Sequence, residues 1–314
     1  MKKAITLLLS TLVMLLTTAC TDSVNLNQLS QNPSKLVVYA FPSENDTIQI
    51  TISATYPISG NMPTLYIEDL NCTTNGIADR IISLNDTITG SGIPIARFAA
   101  IGSHNSGDNI YIKVKATGFA EAYGSSIIPE RPTIQNARLD TLSFKGVNYP
   151  AVRLTMHDNK STPFYATRIE GKHNGDSYYN DFNNTKGYNL TQYMPLIVAA
   201  EPLLSNSSNI DLDLSDWDSN FYRYIYNFDN SSFVDNKATL HLYIETWLNE
   251  FCDYRPHLLA LSPEYNNMLR SLNDISNNDF GKYGLAFAYS TYTNVHGGYG
   301  CIGAYAEVIG EWMR

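Results

Sequence analysis

A mainly β fold is predicted: an N-terminal immunoglobulin-like β-sandwich, then a second β-rich (α+β) domain with one or two short helices. Three observations point there. Tyr accounts for 22 of the 314 residues and only 16% are charged, and aromatic and β-branched side chains suit a pleated, half-buried surface. Short runs of such residues recur between Pro, Gly, Asn and Asp. Several of these runs alternate with period two, as strands with one buried face do.

The first segment is not part of either domain. In MKKAITLLLSTLVMLLTTAC, Lys2 and Lys3 form a basic head, Ala4 to Leu16 an apolar run, and Thr17-Thr18-Ala19 leads up to Cys20. This is the layout of a bacterial secretory signal, and its apolar run is shorter than the roughly 18 residues of a membrane span. Cleavage after Ala19 makes Cys20 the N-terminus, which resembles the lipobox of bacterial lipoproteins, with Thr17 where that motif carries Leu. Residues 1–19 are therefore expected to be the signal and 20–34, polar and without periodicity, a lipidated tether.

The sandwich is expected over residues 35–130. Its strands are LVVYAF, TIQITISATYPI, TLYIEDL, ARFAAI and NIYIKVKATGF. Ile48, Ile50 and Ile52 share one strand face, and Ile110, Ile112 and Val114 share another. The segment IIPERPT (127–133) then reads as a linker, because Pro129 and Pro132 have no N–H to give a ladder.

Residues 131–314 form the second domain. It opens on a strand pair, AVRLTMHD and FYATRIEGK, followed by polar stretches at 174–192 and 204–220 that read as surface loops. Strand patterning returns at TLHLYIETWL. A helix is signalled by Ser262 as N-cap and Pro263 at the first position. Its apolar face is Tyr265, Met268, Leu269 and Leu272, spaced i, i+3, i+4, i+7. A second helix is expected from near Asp216, with Phe221, Tyr224, Ile225 and Phe228 on one face. The chain closes on a strand in CIGAYAEVIGEWM, and no internal repeat is present.

Several of these pieces occur together in a recognisable order: the lipoprotein signal, LVVYAFPSENDTIQITIS, NIYIKVKATGFAEAYGSSIIPERP, FDNSSFVDNKATLHLYI, the helix LSPEYNNMLRSL, and NVHGGYGCIGAY. Over nearly the whole mature chain this resembles the domain of unknown function 4249 family, outer-membrane lipoproteins of Bacteroidota. Its most distinctive parts are Ser262-Pro263-Glu264-Tyr265 and the Asn294 to Tyr305 segment. The resemblance implies a periplasmic or cell-surface accessory protein, held in the outer membrane by lipid such as palmitate on Cys20 and working with a TonB-dependent receptor in nutrient uptake. It carries over no catalytic residues.

Composition and motifs narrow the chemistry. A net charge of -9 becomes more negative once Lys2 and Lys3 leave, so no basic face is available for nucleic acid. After Cys20 the cysteines are Cys72, Cys252 and Cys301, so one disulfide at most can form. Two readings stand: a Cys252–Cys301 bond, or three buried small hydrophobes. No CxxC pair and no HExxH occur, and His104, His157, His173, His241, His257 and His296 are scattered, so neither a metal nor another cofactor is expected. In Asp211 to Asp218, Asp216 stands where an EF-hand needs Gly and Tyr222 where it needs the closing Glu, so a solvated strand with Asp216 as a helix cap is expected. The glycines from Gly297 to Gly303 lack the Lys-Ser/Thr and the following helix of a phosphate loop and are expected to serve close backbone approach. No GxSxG elbow is present.

Aromatic residues in the polar stretches are the remaining cue. Tyr178, Tyr179, Tyr188 and Tyr193, then Trp217, Phe221 and Tyr222, offer flat faces with polar handles that suit a sugar, peptide or protein. The competing reading packs them between sheets. The function expected is a non-enzymatic, lipid-anchored accessory protein that captures a small solute or docks on a TonB-dependent receptor. The alternatives are a glycan-binding surface lipoprotein and a secreted hydrolase, the last requiring an acidic or metal cluster in a cleft.

Overall fold

The computed structural model describes residues 33–45, 47–55, 64–84, 87–88, 94–173, 191–210, 212, 218–245, 251–278 and 290–314, with backbone only at 87–88, 173, 251 and 252. The N-terminal strands are β1 (Leu36–Ala40), β2 (Thr47–Ala54), β3 (Ile67–Thr74), β4 (Ile77–Ala78), β5 (Arg80–Ser83), β6 (Thr87–Ile88), β7 (Pro94–Ile101), β8 (Asn109–Ala116) and β9 (Ala122–Ile127). One sheet runs β1-β2-β7-β5, with β6 also on β7; the other runs β4-β3-β8-β9. The alternation read from the sequence is what packs them. Ile48, Ile50 and Ile52 of one sheet and Ile110, Ile112 and Val114 of the other all bury in a single core. Asn75 and Gly76, both with positive φ (52° and 83°), make the tight β3–β4 turn, for which Asn-Gly is the favoured pair.

The remaining elements are β10 (Thr133–Phe144), β11 (Val147–His157), β12 (Phe164–His173), β13 (Thr191–Met194), β14 (Tyr226–Asp229), β15 (Lys237–Tyr243), β16 (Phe251–Leu261), α1 (Pro263–Ser276), β17 (Tyr299–Ile302) and β18 (Tyr305–Ile309). Two antiparallel sheets, β10-β11-β15 and β13-β12-β16-β18, sandwich a second core, and β14 pairs β12 beyond β13. Val152, Leu154, Leu240 and Leu242 meet Tyr165, Ile169 and Leu258 there.

The strand pair expected at the start of this half is not a pair. β11 bonds β10 and β15, whereas β12 bonds β13, β14 and β16. The chain between them arches from one sheet to the other, and Asp158 holds the arch. Its carboxylate accepts from the Lys160 amide (2.7 Å), the Tyr165 hydroxyl (2.6 Å) and Asn230 Nδ2 (2.9 Å). Burial opposes ionisation of Asp158, but these bonds outweigh it and hold the carboxyl below the usual range.

The helix signalled by Ser262 and Pro263 forms as read. Ser262 Oγ accepts from the Tyr265 amide at 3.3 Å, and Tyr265, Met268, Leu269 and Leu272 bury against Ala166, Leu259 and Leu261 of the sheet in a third core. The second expected helix does not form. Ser219–Phe221 is a single 3-10 turn capped by Asp218, Tyr224 has φ 56°, and Phe228 lies in β14. A left-handed residue ends any helix there, and the four aromatic and aliphatic positions divide between two cores. Asp211, Asp213 and Asp216 lie outside the described residues.

The final strand is two. β17 leaves the second half and pairs in parallel with β1, Tyr39 opposite Cys301, and Val295, Ile302 and Ala304 complete the first core. Gly300 (φ 109°) makes the approach possible, since a Cβ there would meet the Val38 carbonyl oxygen at 2.0 Å. The boundary near 131 thus separates the first core from the second, yet residues 34–55 and 63–314 form one unit.

The Cys252–Cys301 bond is not made. Cys301 is a free, buried thiol on β17, its Sγ 3.7 Å from the Glu264 carbonyl oxygen of α1. Cys252 sits at the start of β16, in a different sheet. Cys72 is likewise free and buried, and burial pushes both thiols up, away from reactivity.

Candidate functional site

Most of the residues expected to meet a ligand or the membrane (Cys20, Tyr178, Tyr179, Tyr188 and Trp217) lie outside the described residues. Tyr222 is described and corrects the expectation: it is 1% exposed and belongs to the third core with Phe41 and Tyr265. It follows the 3-10 turn, and the turn directs it inward. Tyr193 of β13, from the same aromatic set, is half-buried and covers the Arg168 guanidinium, 4.1 Å from its ring centroid.

Beneath Tyr193 one face of the sheet carries an ion-pair network that sequence reading missed. Arg168 and Glu170 alternate along β12, Arg255 and His257 along β16, and Glu307 reaches in from β18. His257, 3% exposed, lies between two carboxylates: Nδ1 is 2.8 Å from Glu307 Oε1 and Nε2 is 3.1 Å from Glu170 Oε2. Arg255 Nε donates to Glu170 Oε2 at 2.6 Å, and Arg168 donates to Glu307 Oε1 at 2.9 Å and to the Asn220 carbonyl at 3.1 Å.

Burial opposes ionisation of both carboxyls. Hydrogen bonds from Arg255, Thr191 and His257 outweigh it at Glu170, and the His257 bond and Arg168 charge do so at Glu307, so both sit below the usual range. A general acid needs the opposite displacement. Each carboxylate here is paired with an arginine and holds strands and the 220 region together. The signal in the sequence was a run of charges at alternate positions of strands (ATRIEGK, DYRPHLL), legible as one face only once β12 and β16 are known to be neighbours.

A cleft of about 220 Å³ opens elsewhere on the same sheet, between β14, α1 and the 3-10 turn Pro202–Leu204. Its depth comes from the end of β12, where Phe164 pairs with Asp229 of β14, and from a helix whose positions 266 and 270 share one face. Asn227 and Asn266 lie at the buried end. Asn227 Nδ2 donates to Asn266 Oδ1 at 2.9 Å, and the Ser207 hydroxyl lies 3.4 Å from Asn227 Oδ1. Asn266 is 2% exposed, and its Nδ2 has no hydrogen-bond partner among the described residues.

At the rim Asp229 caps the turn Asn230–Ser232, accepting from the Ser231 amide at 3.0 Å and from its hydroxyl. Those bonds, aided by the charge of Arg270, hold the Asp229 carboxyl below the usual range. Ser231, Ser232 and Arg270 face the opening, with Phe164 as an aromatic wall. The cleft therefore presents amides, hydroxyls, one cation and one anion around a small volume. The lining offers hydrogen bonding; among the described residues no histidine lines the cleft beside the Ser231 hydroxyl, and no cluster of three metal-ligating side chains exists.

A family model described as "Domain of unknown function (DUF4249)" matches residues 21–309. No curated protein matches the chain.

Proposed function

The chain belongs to the domain of unknown function 4249 family, and from that premise we propose that it is a lipid-anchored, non-enzymatic accessory protein of the outer membrane. It captures a small solute in the cleft between β14 and α1 and works beside a TonB-dependent receptor. The cleft carries this reading: Asn227, Asn266, Ser231, Ser232 and Arg270 line it, and Asn266 Nδ2 is a buried donor with no partner among the described residues. Buried polar groups are otherwise almost always paired. The anchor rests on the basic head, apolar run and Cys20 of the first twenty residues. Among the described residues no helix is long and apolar enough to cross a membrane; acyl chains on Cys20 would contribute about 0.8 kcal/mol per buried methylene.

Purifying the tagged full chain from membranes in mild detergent tests the partnership. Recovery of a receptor β-barrel with it is the expected result, and a lone monomer overturns the partnership. Cys20→Ala is expected to shift the chain from the membrane pellet to the soluble fraction; retention in the pellet overturns the anchor.

A further inference from the structure

We infer that the cleft takes a single polyhydroxylated ring: a monosaccharide, free or as the terminal residue of a glycan. The inference rests on reading the cleft as the solute site and names the class of solute. Size argues first. At about 220 Å³ the cleft falls below the ~300–1,000 Å³ of sites for drug-sized ligands, so it has room for one ring and not for a peptide of several residues.

The polar lining argues next. Asn227, Asn266, Ser231 and Ser232 are amides and hydroxyls that can both donate and accept, and beyond the bonds they make to one another, to Ser207 and to Asp229 each keeps spare hydrogen-bonding capacity. A ligand answering that pattern has groups that do the same all round, as ring hydroxyls do. Asn266 Nδ2 is sealed from solvent and has no partner among the described residues, so a ring oxygen at the buried end becomes its acceptor when the amide turns toward the cleft. Charge is balanced: Asp229 and Arg270 both line the cleft, one anion and one cation, so the cleft does not select for a net charge. The aromatic side of Phe164 completes the match, because the C–H face of a sugar ring packs on an apolar flat surface.

Isothermal titration of the full chain, in a detergent without a sugar headgroup, tests this. The probes are neutral hexoses, their oligosaccharides and a set of free amino acids. Saturable binding of at least one neutral sugar is expected, weakened at least tenfold by Asn266→Leu. Ser232→Trp, a change at an exposed rim position, fills the mouth without touching the core and abolishes binding even where Asn266→Leu does not fold. Binding of the free hexose assigns the source to solutes; binding of the oligosaccharide alone assigns it to glycan ends, and both support the class. Sugar binding untouched by a folded Asn266→Leu and by Ser232→Trp places the sugar elsewhere and overturns the inference. Amino acids that bind and are blocked by Ser232→Trp, with no sugar binding, overturn the sugar class and leave solute capture standing. If neither set binds, the cleft reading falls with the inference, while receptor recovery is measured independently.

Discussion

His257 and its neighbours show how this chain carries charge inside a β-protein. Two glutamates, two arginines and one histidine meet on a sheet face, joined by hydrogen bonds of 2.6 to 3.1 Å. Such a network holds only while it is complete. Arg168→Met deprives Glu307 of its arginine and the Asn220 carbonyl of its donor, and breaking a buried pair from one side costs about 3–5 kcal/mol. Urea unfolding monitored by circular dichroism is expected to show a loss of that size; a change under about 1 kcal/mol, typical of an exposed pair, would mean that solvent screens the network. Acid should do reversibly what the substitution does. Glu170 and Glu307 are held below the unfolded value of about 4.3, so their contribution is complete above that pH and is lost as pH falls through the lower folded values. Thermal midpoints should therefore stay level from about pH 7 to 5 and fall below about 4.3, and Glu307→Gln should make that fall shallower. A profile of equal steepness in the variant rules Glu307 out as a source of the acid lability.

At the level of elements, Gly300 marks where the fold is least tolerant. Its φ of 109° and the Val38 oxygen 2.0 Å from a built Cβ mean that Gly300→Ala both strains the backbone, at about 1–3 kcal/mol, and pushes β17 off β1. Gly146 (φ 80°) has nothing within 4 Å of its own built Cβ, so Gly146→Ala carries only the left-handed penalty of about 1–2 kcal/mol. Chemical denaturation of the two variants is expected to separate them, Gly300→Ala being much the worse; equal losses would show that the parallel pairing adds nothing. The same contrast explains what was legible beforehand. Ile48, Ile50 and Ile52 announce a strand face, and Ser262-Pro263 with Tyr265, Met268, Leu269 and Leu272 announce a helix, because period and caps are local properties. Pairing is not local. β11 and β12 alternate alike whether they form a hairpin or an arch, and only the bonds around Asp158 decide. The return of β17 to β1 leaves no local trace except its glycines. The cleft was hidden for the same reason: Asn227 and Asn266 are ordinary polar residues until a strand and a helix bring their amides within 2.9 Å. Of the aromatic residues singled out, Tyr222 spoke for packing.

For the molecule as a whole, β17 makes the N-terminal sandwich dependent on a segment more than 160 residues further along the chain. Val295, Ile302 and Ala304 fill the first core, and β17 covers the outer edge of β1 from Val37 to Ala40. Without it, that edge is a row of unpaired amides and carbonyls open to aggregation, and Leu36, Val38 and Ala40 lose the packing on one side. Further ties run the same way: Ser126 Oγ bonds both Glu264 of α1 (2.9 Å) and the Ala304 amide (3.0 Å), and Asn294 Nδ2 donates to the Ser125 carbonyl (3.2 Å). The sandwich is therefore expected not to fold as residues 33–130 alone, although it reads as a domain of suitable length. Expressed separately, that piece should lack a cooperative urea transition and should aggregate. Joining residues 290–305 to its N-terminus by a flexible Gly/Ser linker long enough to run back along β1 should restore the transition, because the segment can then take up its parallel register on β1. A cooperative transition in the unjoined piece, as strong as in the joined one, would show that β17 is an ornament on a self-sufficient sandwich; the parallel register of Val37 through Ala40 argues that it is a member of the sheet.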